Sequence, residues 1–501
     1  MASGTIVLIV LVLGVTVLGF LAARWGGANL TNLDQWALGG RSFGTIVTWF
    51  LLGGDLYTAY TFIAVPALAF GAGAIAFFAV PYTTIAYPFA FLVMARFWTI
   101  AKKRGYVTSA DFVRDRFGSR WLELAIAITG VLATMPYIAL QLIGMQTVLE
   151  RSGIAASHDS ALLMLIVAFV LLGAYTFTSG LRAPAMIAFV KDTLIYVTVI
   201  AAIVIIPAKL GGWGHIFDAA ATALAAKPTP GSIVIGPHMY FAYASLALGS
   251  AFALFLYPHS MTSLLSAKSA DVIRRNCALL PLYSIMLTFL ALLGYCALAA
   301  GIHETNNNFA VPDLFNRFFP NWFTGVAFAG IIIGALVPAA IMAIGAANLF
   351  ASNIVQSFNG RQTRAGGASN LARYISLAIL LGALVIATGV QPKFSINFQL
   401  LGGAWMLQIF PAVVLGLYTR WFHSNALLAG WFAGMLTTAI MAYATNFAAV
   451  FSLSFLGTSI PGAILLYAFI VNLIVSVVFT WIFRAANVPA GGDLTATADY
   501  A

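Results

Sequence analysis

The sequence predicts an all-α polytopic membrane protein with about 13 transmembrane helices, and two observations support this. Of its 501 residues, 62% are hydrophobic and only 8% are charged, whereas about 25% of the residues in soluble domains are charged. Apolar runs close to the ~20 residues needed to cross a bilayer recur along the whole chain, with no long polar stretch between them. Residues 1–484 are therefore predicted to form one transmembrane domain.

The apolar segments follow one another in order, and each is long enough to cross a membrane as a helix. The first lacks the basic start of a signal peptide and is followed by Arg24, so we predict a retained helix. The tail after the last segment, 485–501, is small and polar, and we predict that it is disordered. The predicted segments are 4–23, 43–70, 74–97, 121–149, 160–180, 184–208, 238–262, 276–302, 322–356, 371–390, 395–419, 424–446 and 460–483.

Membrane topology explains the net charge of +10, because Lys and Arg concentrate in cytoplasmic loops. We expect the N-terminus outside, the C-terminus in the cytoplasm, contact with membrane lipid and no nucleic-acid partner. The inner side then receives Arg24, Arg41, Arg96, Lys102, Lys103, Arg104, Arg114, Arg116, Arg120, Arg182, Lys191, Lys268, Arg274, Arg275, Arg361, Arg364, Arg373, Arg420 and Arg484. The outer side receives only Arg151, Lys209, Lys227, Arg317 and Lys393.

Two apolar segments carry glycine, proline and polar residues within the predicted span, where a lipid-facing helix should be uniformly apolar. They are "WFLLGGDLYTAYTFIAVPALAF" (49–70) and "MYFAYASLALGSAFALFLYPHSM" (239–261), in the second and seventh segments. Irregular backbone at membrane depth must be buried in protein or line a cavity. Their spacing predicts two inverted five-helix repeats, about 43–208 and 238–419, that each begin with a broken helix at a midplane binding site. Ordinary kinks and packing contacts are the alternative.

Asp55 lies inside the second segment, and a carboxylate there marks an ion pathway or a buried partner. It is a candidate to carry a coupling proton, to help hold a cation or to meet a substrate ammonium. The structural alternative is an acid that accepts hydrogen bonds from the exposed N–H groups of a broken helix.

Asp192, in "SGLRAPAMIAFVKDTLIY", is a second acid inside a predicted helix and follows Lys191 directly. Adjacent helix residues do not face each other, so the two need not form a pair. Asp192 is a candidate to line the inner exit of an ion, and a snorkelling charge at the interface is the alternative.

Other residues at similar depth offer hydrogen bonds and an aromatic wall to a small polar solute. Each of them alone is equally explained by packing or by ordinary hydrogen bonds between helices. The candidate substrate contacts are Gly53, Thr61, Gln141, Tyr240, Tyr243, Trp405 and Gln408.

The motifs of enzymes and ATP-driven pumps are absent from the sequence. It has no HExxH, GxSxG, GxGxxG or Walker motif, and Cys277 and Cys296 form no metal-binding pattern. We therefore predict no enzyme activity and no organic cofactor, but movement of a solute coupled to an ion gradient. A channel, a sensor and a membrane-embedded enzyme are the competing classes. A sensor normally adds a cytoplasmic signalling domain, and an enzyme needs a catalytic constellation.

Seven stretches resemble the sodium:solute symporter family, and most of all its bacterial monocarboxylate permeases, which take up lactate, pyruvate and alanine. The resemblance runs from about residue 4 to 484. The stretches are "GGDLYTAYTFIAVPALAF", "GYVTSADFVRDRFGSR", "ATMPYIALQLIGM", "SGLRAPAMIAFVKD", "YPHSMTSLLSAKS", "IGALVPAAIMAIGAANLFASNI" and "LLGGAWMLQIFPAVVLGLYTRWF".

The resemblance implies a LeuT-type fold, alternating access and a bacterial inner-membrane location. It also implies a Na+ site with carbonyl ligands at Gly54 and Tyr57, beside Thr58. The hydroxyl ligands of the family fall on Val337 and Pro338, and neither side chain has an oxygen.

The resulting prediction is cation-coupled uptake of small monocarboxylates. The cation is either H+ carried by Asp55, or Na+ with Asp55 in place of the missing hydroxyls. The alternative is a sodium-coupled symporter of acetate, proline or pantothenate. The sequence shows no arginine placed deep inside a predicted helix to hold a carboxylate, so the N-termini of the half-helices are the expected anion site. Thr58, Thr61, Gln141 and Tyr243 are then candidates to read its hydroxyl, keto or amino group.

Overall fold

The computed structural model describes residues 2–27, 32–155, 157–359, 367–389, 395–455 and 457–500. Within these ranges, ten helices are long and apolar enough to cross a membrane, or up to 13 if each of three bent pairs is one span. The predicted all-α polytopic architecture is confirmed. Arg361, Arg364 and Lys393, which entered the topology prediction, lie outside the described residues.

The helices follow the predicted segments closely, and short helices occupy the longer connections between them. In chain order they are α1 (Ala2–Leu21), α2 (Leu33–Leu38), α3 (Thr45–Leu56), α4 (Val65–Ala72), α5 (Ala79–Phe89), α6 (Ala95–Arg104), α7 (Ser109–Phe117), α8 (Arg120–Arg151), α9 (His158–Ser179), α10 (Arg182–Lys209), α11 (Trp213–Ala225), α12 (Tyr240–Leu254), α13 (Pro258–Leu265), α14 (Ala270–Leu279), α15 (Pro281–Ala299), α16 (Ala310–Phe318), α17 (Asn321–Leu349), α18 (Gln356–Asn359), α19 (Gly367–Gly389), α20 (Ser395–Leu407), α21 (Gly416–Tyr418), α22 (Ser424–Ala444) and α23 (Ile464–Ala485).

Both helices predicted to be broken are broken. The second span bends by 47° between Thr45–Leu56 and Tyr60–Ala72, and the seventh bends by 50° between Pro237–Leu254 and Pro258–Leu265. The first break lies at residues 57–59, before a π-helical turn at Tyr60–Ala64. Pro66 lies inside the second half-helix and not at the break.

A third bent pair was not predicted, although proline marks it too. The eleventh span bends by 40° between Gln399–Leu407 and Pro411–Tyr418. Pro411 has no backbone N–H to donate, so a helix cannot run through it with all its hydrogen bonds.

The ninth span, α17, forms the centre of the bundle, because its most apolar stretch is completely buried. It packs against α1, α8, α10 and α13. Gly345 lets the helices approach closely, since a Cβ atom there would lie 2.7 Å from the carbonyl carbon of Pro258. The helix therefore holds the start of α13 in place beside the break of the seventh span.

An antiparallel β-hairpin, β1 (Val450–Phe455) and β2 (Thr458–Ala463), is the main departure from the predicted all-helical connections. Its register pairs Val450 with Ala463 and Phe455 with Thr458. Residues 451–455 alternate apolar side chains with serine, which is the pattern of a strand exposed on one face. The hairpin covers the start of α23 and packs against α12.

The tail corrects the prediction of disorder. Asp493 forms an ion pair with Arg116, and Asp499 accepts a hydrogen bond of 2.8 Å from Arg104 Nε. The Leu494 N–H donates to the carbonyl of Asp115 over 2.8 Å. Residues 486–500 therefore lie against the basic loop 98–120, because two carboxylates of the tail meet arginines of α6 and α7.

Candidate functional site

The break of the second span exposes backbone groups that a continuous helix would pair internally. Gln141, on α8, accepts a hydrogen bond of 2.9 Å from the Ala59 N–H. Thr58 and Thr61 pair with each other, since the Thr58 N–H donates to Thr61 Oγ over 3.0 Å and Thr61 Oγ donates back to the Thr58 carbonyl over 2.8 Å. Thr58, Thr61 and Gln141 therefore stabilise the break, and the groups that make these hydrogen bonds already have partners within the protein.

The carbonyl oxygens of the same break face a lysine. Lys191, on α10, is 0% exposed and donates from Nζ to the carbonyls of Gly54 and Tyr57, the latter over 3.1 Å. A Cβ atom at Gly54 would lie 2.8 Å from Nζ, so a larger residue there would displace the ammonium from these carbonyls. Lys191 therefore binds the two carbonyls that the family resemblance assigns to Na+.

Asp192 completes this cluster. Its Oδ1 lies 3.1 Å from Lys191 Nζ, and its Oδ2 accepts a hydrogen bond of 2.8 Å from the Tyr283 hydroxyl. Both charged residues are 0% exposed. Lys191, which was counted among the charges of the inner side, is buried in this cluster, and Asp192 forms an ion pair with it, a contact that the sequence left open. Adjacent residues on a helix point in different directions, but the side chains of Lys191 and Asp192 both bend toward the break of the second span and meet there.

Gly53 lies behind this cluster and not in a solute site. A Cβ atom there would lie 2.2 Å from the ring of Tyr283. That ring is packed against Trp49 and Tyr57, with centroid distances of 4.7 and 4.9 Å. The residue is thus needed for packing against Tyr283, and its role as a substrate contact stays a prediction.

Asp55 joins the two broken spans. Its Oδ2 accepts a hydrogen bond of 3.2 Å from Ser260 Oγ, on α13, and lies 3.8 Å from His259 Nε2. The residue is 3% exposed. Asp55 Oδ1, His259 Nδ1 and Ser263 Oγ are buried without a hydrogen-bond partner in the part of the chain that is described. Buried polar atoms normally have a partner, so each of these three atoms is open to a hydrogen bond from a ligand or water.

Tyrosine side chains surround this place. The Tyr137 ring lies 5.4 Å from the ring of His259 and 5.7 Å from that of Tyr257, and Tyr257 lies 5.1 Å from His259. Sequence reasoning missed Tyr137, His259 and Ser260 as site residues. The position of His259 and Ser260 directly after Pro258, at the start of a half-helix, was the available signal.

Four predicted substrate contacts lie elsewhere. Tyr240 is 58% exposed at the start of α12, and Tyr243 donates to the Phe77 carbonyl over 3.0 Å. Gln408 accepts a hydrogen bond of 3.1 Å from Asn472, on α23, and Trp405 is only partly buried. The hydrogen bonds of Tyr243 and Gln408 do not involve the break of the second span, and the role of these four residues as substrate contacts stays a prediction.

Two helices broken at membrane depth around buried polar groups are the architecture of secondary transporters, which bind their solute where the helices are interrupted. The chain belongs to the sodium:solute symporter family, whose model matches residues 36–437.

Two relatives agree with this assignment. The chain is 52% identical over 421 residues to a monocarboxylate transport permease protein of Rhizobium johnstonii, with 84% of each chain covered. It is 36% identical over 441 residues to the uncharacterized symporter YodF of Bacillus subtilis, with 86% of each covered.

The fold matches a solved structure of a Na+-coupled sialic acid symporter in a substrate-bound, outward-open state. The TM-score is 0.78, with 98% of this chain and 99% of that chain covered at 16% identity. This likeness concerns the fold alone, and it confirms the predicted LeuT-type arrangement.

The residues at the Na+ position implied by the family do not fit the ion. The carbonyl oxygens of Gly54 and Tyr57 already accept hydrogen bonds from the Lys191 ammonium. Val337 and Pro338, where the family has hydroxyls, are buried side chains without oxygen. Na+ needs several oxygen ligands. Here the only two that remain of the implied set, the carbonyls of Gly54 and Tyr57, are bound by the positively charged Lys191 ammonium.

Proposed function

We propose that the protein is a symporter that takes up short monocarboxylates, such as lactate, pyruvate or alanine, by cation-coupled alternating access. The observation that carries the proposal is the buried contact of Asp55 with Ser260 and His259 between the two broken spans. Within the described residues, Asp55, His259 and Ser263 also present buried atoms without a hydrogen-bond partner. The 52% identity to a protein named for monocarboxylate transport supports this substrate class. The basic loop 98–120 then lies in the cytoplasm, with the N-terminus outside.

In this proposal His259 and Ser263 contact the solute. They lie four residues apart on α13 and therefore share one face of the helix. His259 Nδ1 and the Ser263 hydroxyl are the available donors for a carboxylate, in place of the predicted Thr61 and Gln141 contacts. Asp55 carries the coupled proton, because a protonated carboxyl group next to an anionic solute avoids the repulsion of two negative charges.

Uptake of labelled L-lactate into liposomes that contain the purified protein tests the function. An inward pH gradient and an inward Na+ gradient are imposed separately, and unlabelled pyruvate, alanine, acetate, proline and pantothenate serve as competitors. We expect saturable uptake driven by the pH gradient and competition by pyruvate and alanine. Saturation combined with competition only by proline or pantothenate contradicts the substrate class, and uptake that never saturates indicates a channel.

A further inference from the structure

The ammonium of Lys191 has the surroundings of a bound cation. It is 0% exposed and contacts three oxygen atoms, the carbonyls of Gly54 and Tyr57 and the Oδ1 atom of Asp192. A lysine buried at this depth is costly unless its charge is paired and its hydrogen bonds are made. Here both conditions are met by groups of the second and sixth spans.

We propose that the Lys191 ammonium is a built-in cation that takes the place of Na+ on the Gly54 and Tyr57 carbonyl oxygens, so that transport requires no Na+. The two cations exclude each other at this point, because they would compete for the same oxygen lone pairs and repel each other as like charges. The Val337 and Pro338 side chains carry no oxygen, so neither can supply the lost ligands.

The cluster is arranged to keep the ammonium in position. Tyr283 donates to Asp192 Oδ2 over 2.8 Å, which leaves Oδ1 for the lysine. Tyr283 in turn is held between Trp49 and Tyr57, and Gly53 makes room for its ring. A salt bridge between Lys191 and Asp192 would be complete without the carbonyls of Gly54 and Tyr57. A group that replaces a bound cation must contact those carbonyls, and the Lys191 ammonium does so.

The cluster also connects the broken second span to the unbroken helix α10. The carbonyls belong to the interrupted second span, whereas Lys191 lies within the continuous helix α10. Removal of the ammonium leaves two carbonyl groups in the protein interior without a donor, and it leaves Asp192 without its counter-charge. The break should then lose the geometry that solute translocation needs.

Two measurements on the full-length protein test the proposal, and only the second rests on the proposed function. The first is the melting temperature of the purified wild type in NaCl and in choline chloride at equal ionic strength. A ligand that binds the native state raises the melting temperature, so we expect no difference between the two salts. The second is counterflow of labelled L-lactate in liposomes, which needs no ion gradient.

The variant Lys191→Met is compared with Lys209→Met in the counterflow assay. Lys209 lies on the same helix and also donates to a backbone carbonyl, that of Phe318, over 2.8 Å, but it is exposed. We expect equal wild-type counterflow in Na+ and choline media. Lys191→Met should lose about tenfold or more in both media, since buried partners are left unpaired, and Lys209→Met should remain near the wild type.

The proposal is overturned if Na+ raises the melting temperature of the wild type, if Na+ stimulates its counterflow, or if Lys191→Met exchanges lactate like the wild type without Na+. If Lys191→Met does not fold, the two wild-type comparisons still decide. If the wild type shows no lactate counterflow, the proposed substrate fails, while the melting-temperature comparison still decides the role of Lys191.

Discussion

Ser260 donates a hydrogen bond of 3.2 Å to Asp55, although 205 residues separate them. This contact connects the break of the second span to the start of α13, just after the break of the seventh. The two interruptions that were visible in the sequence therefore meet through one buried carboxylate.

Asp55→Asn should abolish accumulation against a gradient while counterflow continues, because the amide cannot carry a proton but retains a hydrogen-bond acceptor for Ser260. A pH gradient of one unit stores about 1.4 kcal/mol, enough for about tenfold accumulation by the wild type. Lactate uptake under such a gradient measures the loss, and Asp159→Asn, at the exposed start of α9, is the control. Full accumulation by Asp55→Asn would show that another group carries the coupling.

Gly53→Ala should destabilise the protein by about 1–3 kcal/mol, the usual cost of an overpacked interior. The added Cβ atom would lie 2.2 Å from the Tyr283 ring, which its aromatic neighbours prevent from moving aside. Thermal unfolding in detergent measures the effect. Gly14→Ala is the matched control, because a Cβ atom there meets nothing within 4 Å. Equal stability of the two variants would show that Tyr283 can yield.

Gln141→Met should cost on the order of 1–3 kcal/mol, because the buried Ala59 N–H loses its acceptor while side-chain volume is kept. The bond between Gln141 and Ala59 measures 2.9 Å. Chemical unfolding and lactate counterflow should both be impaired. Gln146→Met, on the same helix but less buried, serves as the control. A stable variant with normal counterflow would mean that the break rearranges to satisfy this N–H.

A pH-dependent contribution to stability is expected at the end of the bundle opposite the basic loop. Arg151 there pairs with Glu304 over 2.9 Å and with Asp313 over 3.1 Å. Burial, opposed by Arg151 and assisted by Glu304, raises the pKa of Asp313 from 3.8 to about 6. Between these values the native protein keeps a proton that the unfolded chain has released. The contribution of Asp313 to the free energy of unfolding therefore falls as the pH rises through this window.

Asp313→Asn cannot ionise, so it should gain melting temperature relative to the wild type as the pH rises from 3.8 to about 6. The two proteins should be nearly equal below this window and differ by a constant amount above it. Asp271→Asn, whose carboxylate is 72% exposed, is the control. A difference that does not change with pH would contradict the prediction.

Asp493→Asn should destabilise the protein more than Asp499→Asn does. The partner of Asp493, Arg116, has a side chain that is only 4% exposed, whereas Arg104, the partner of Asp499, is 30% exposed. Loss of a charged partner from a buried group costs on the order of 1–3 kcal/mol, and exposed ion pairs are worth less. Thermal unfolding of both variants at low and high salt measures the order. The reverse order would show that the tail is held mainly through Arg104.

Sequence reasoning identified the spans and two of the three breaks because length, hydropathy and glycine or proline placement are local properties of the chain. It identified Asp55 for the same reason, since an acid inside an apolar run is conspicuous. It left the roles of Tyr240 and Gln408 open, because the face that a helix turns to its neighbours is set by packing. The tail was mispredicted because its partners lie on α6 and α7, far away in the chain.

The sequence by itself thus determined the membrane fold, the repeat pattern and the presence of a break in the second span, just after Asp55. The tertiary structure alone decided what fills that break. Lys191 and Gly54 are 137 positions apart, and only the folded bundle places the ammonium on the carbonyl oxygen. Asp192 is the counter-charge of that ammonium. A buried charge without a partner is costly, so the fold pairs the two.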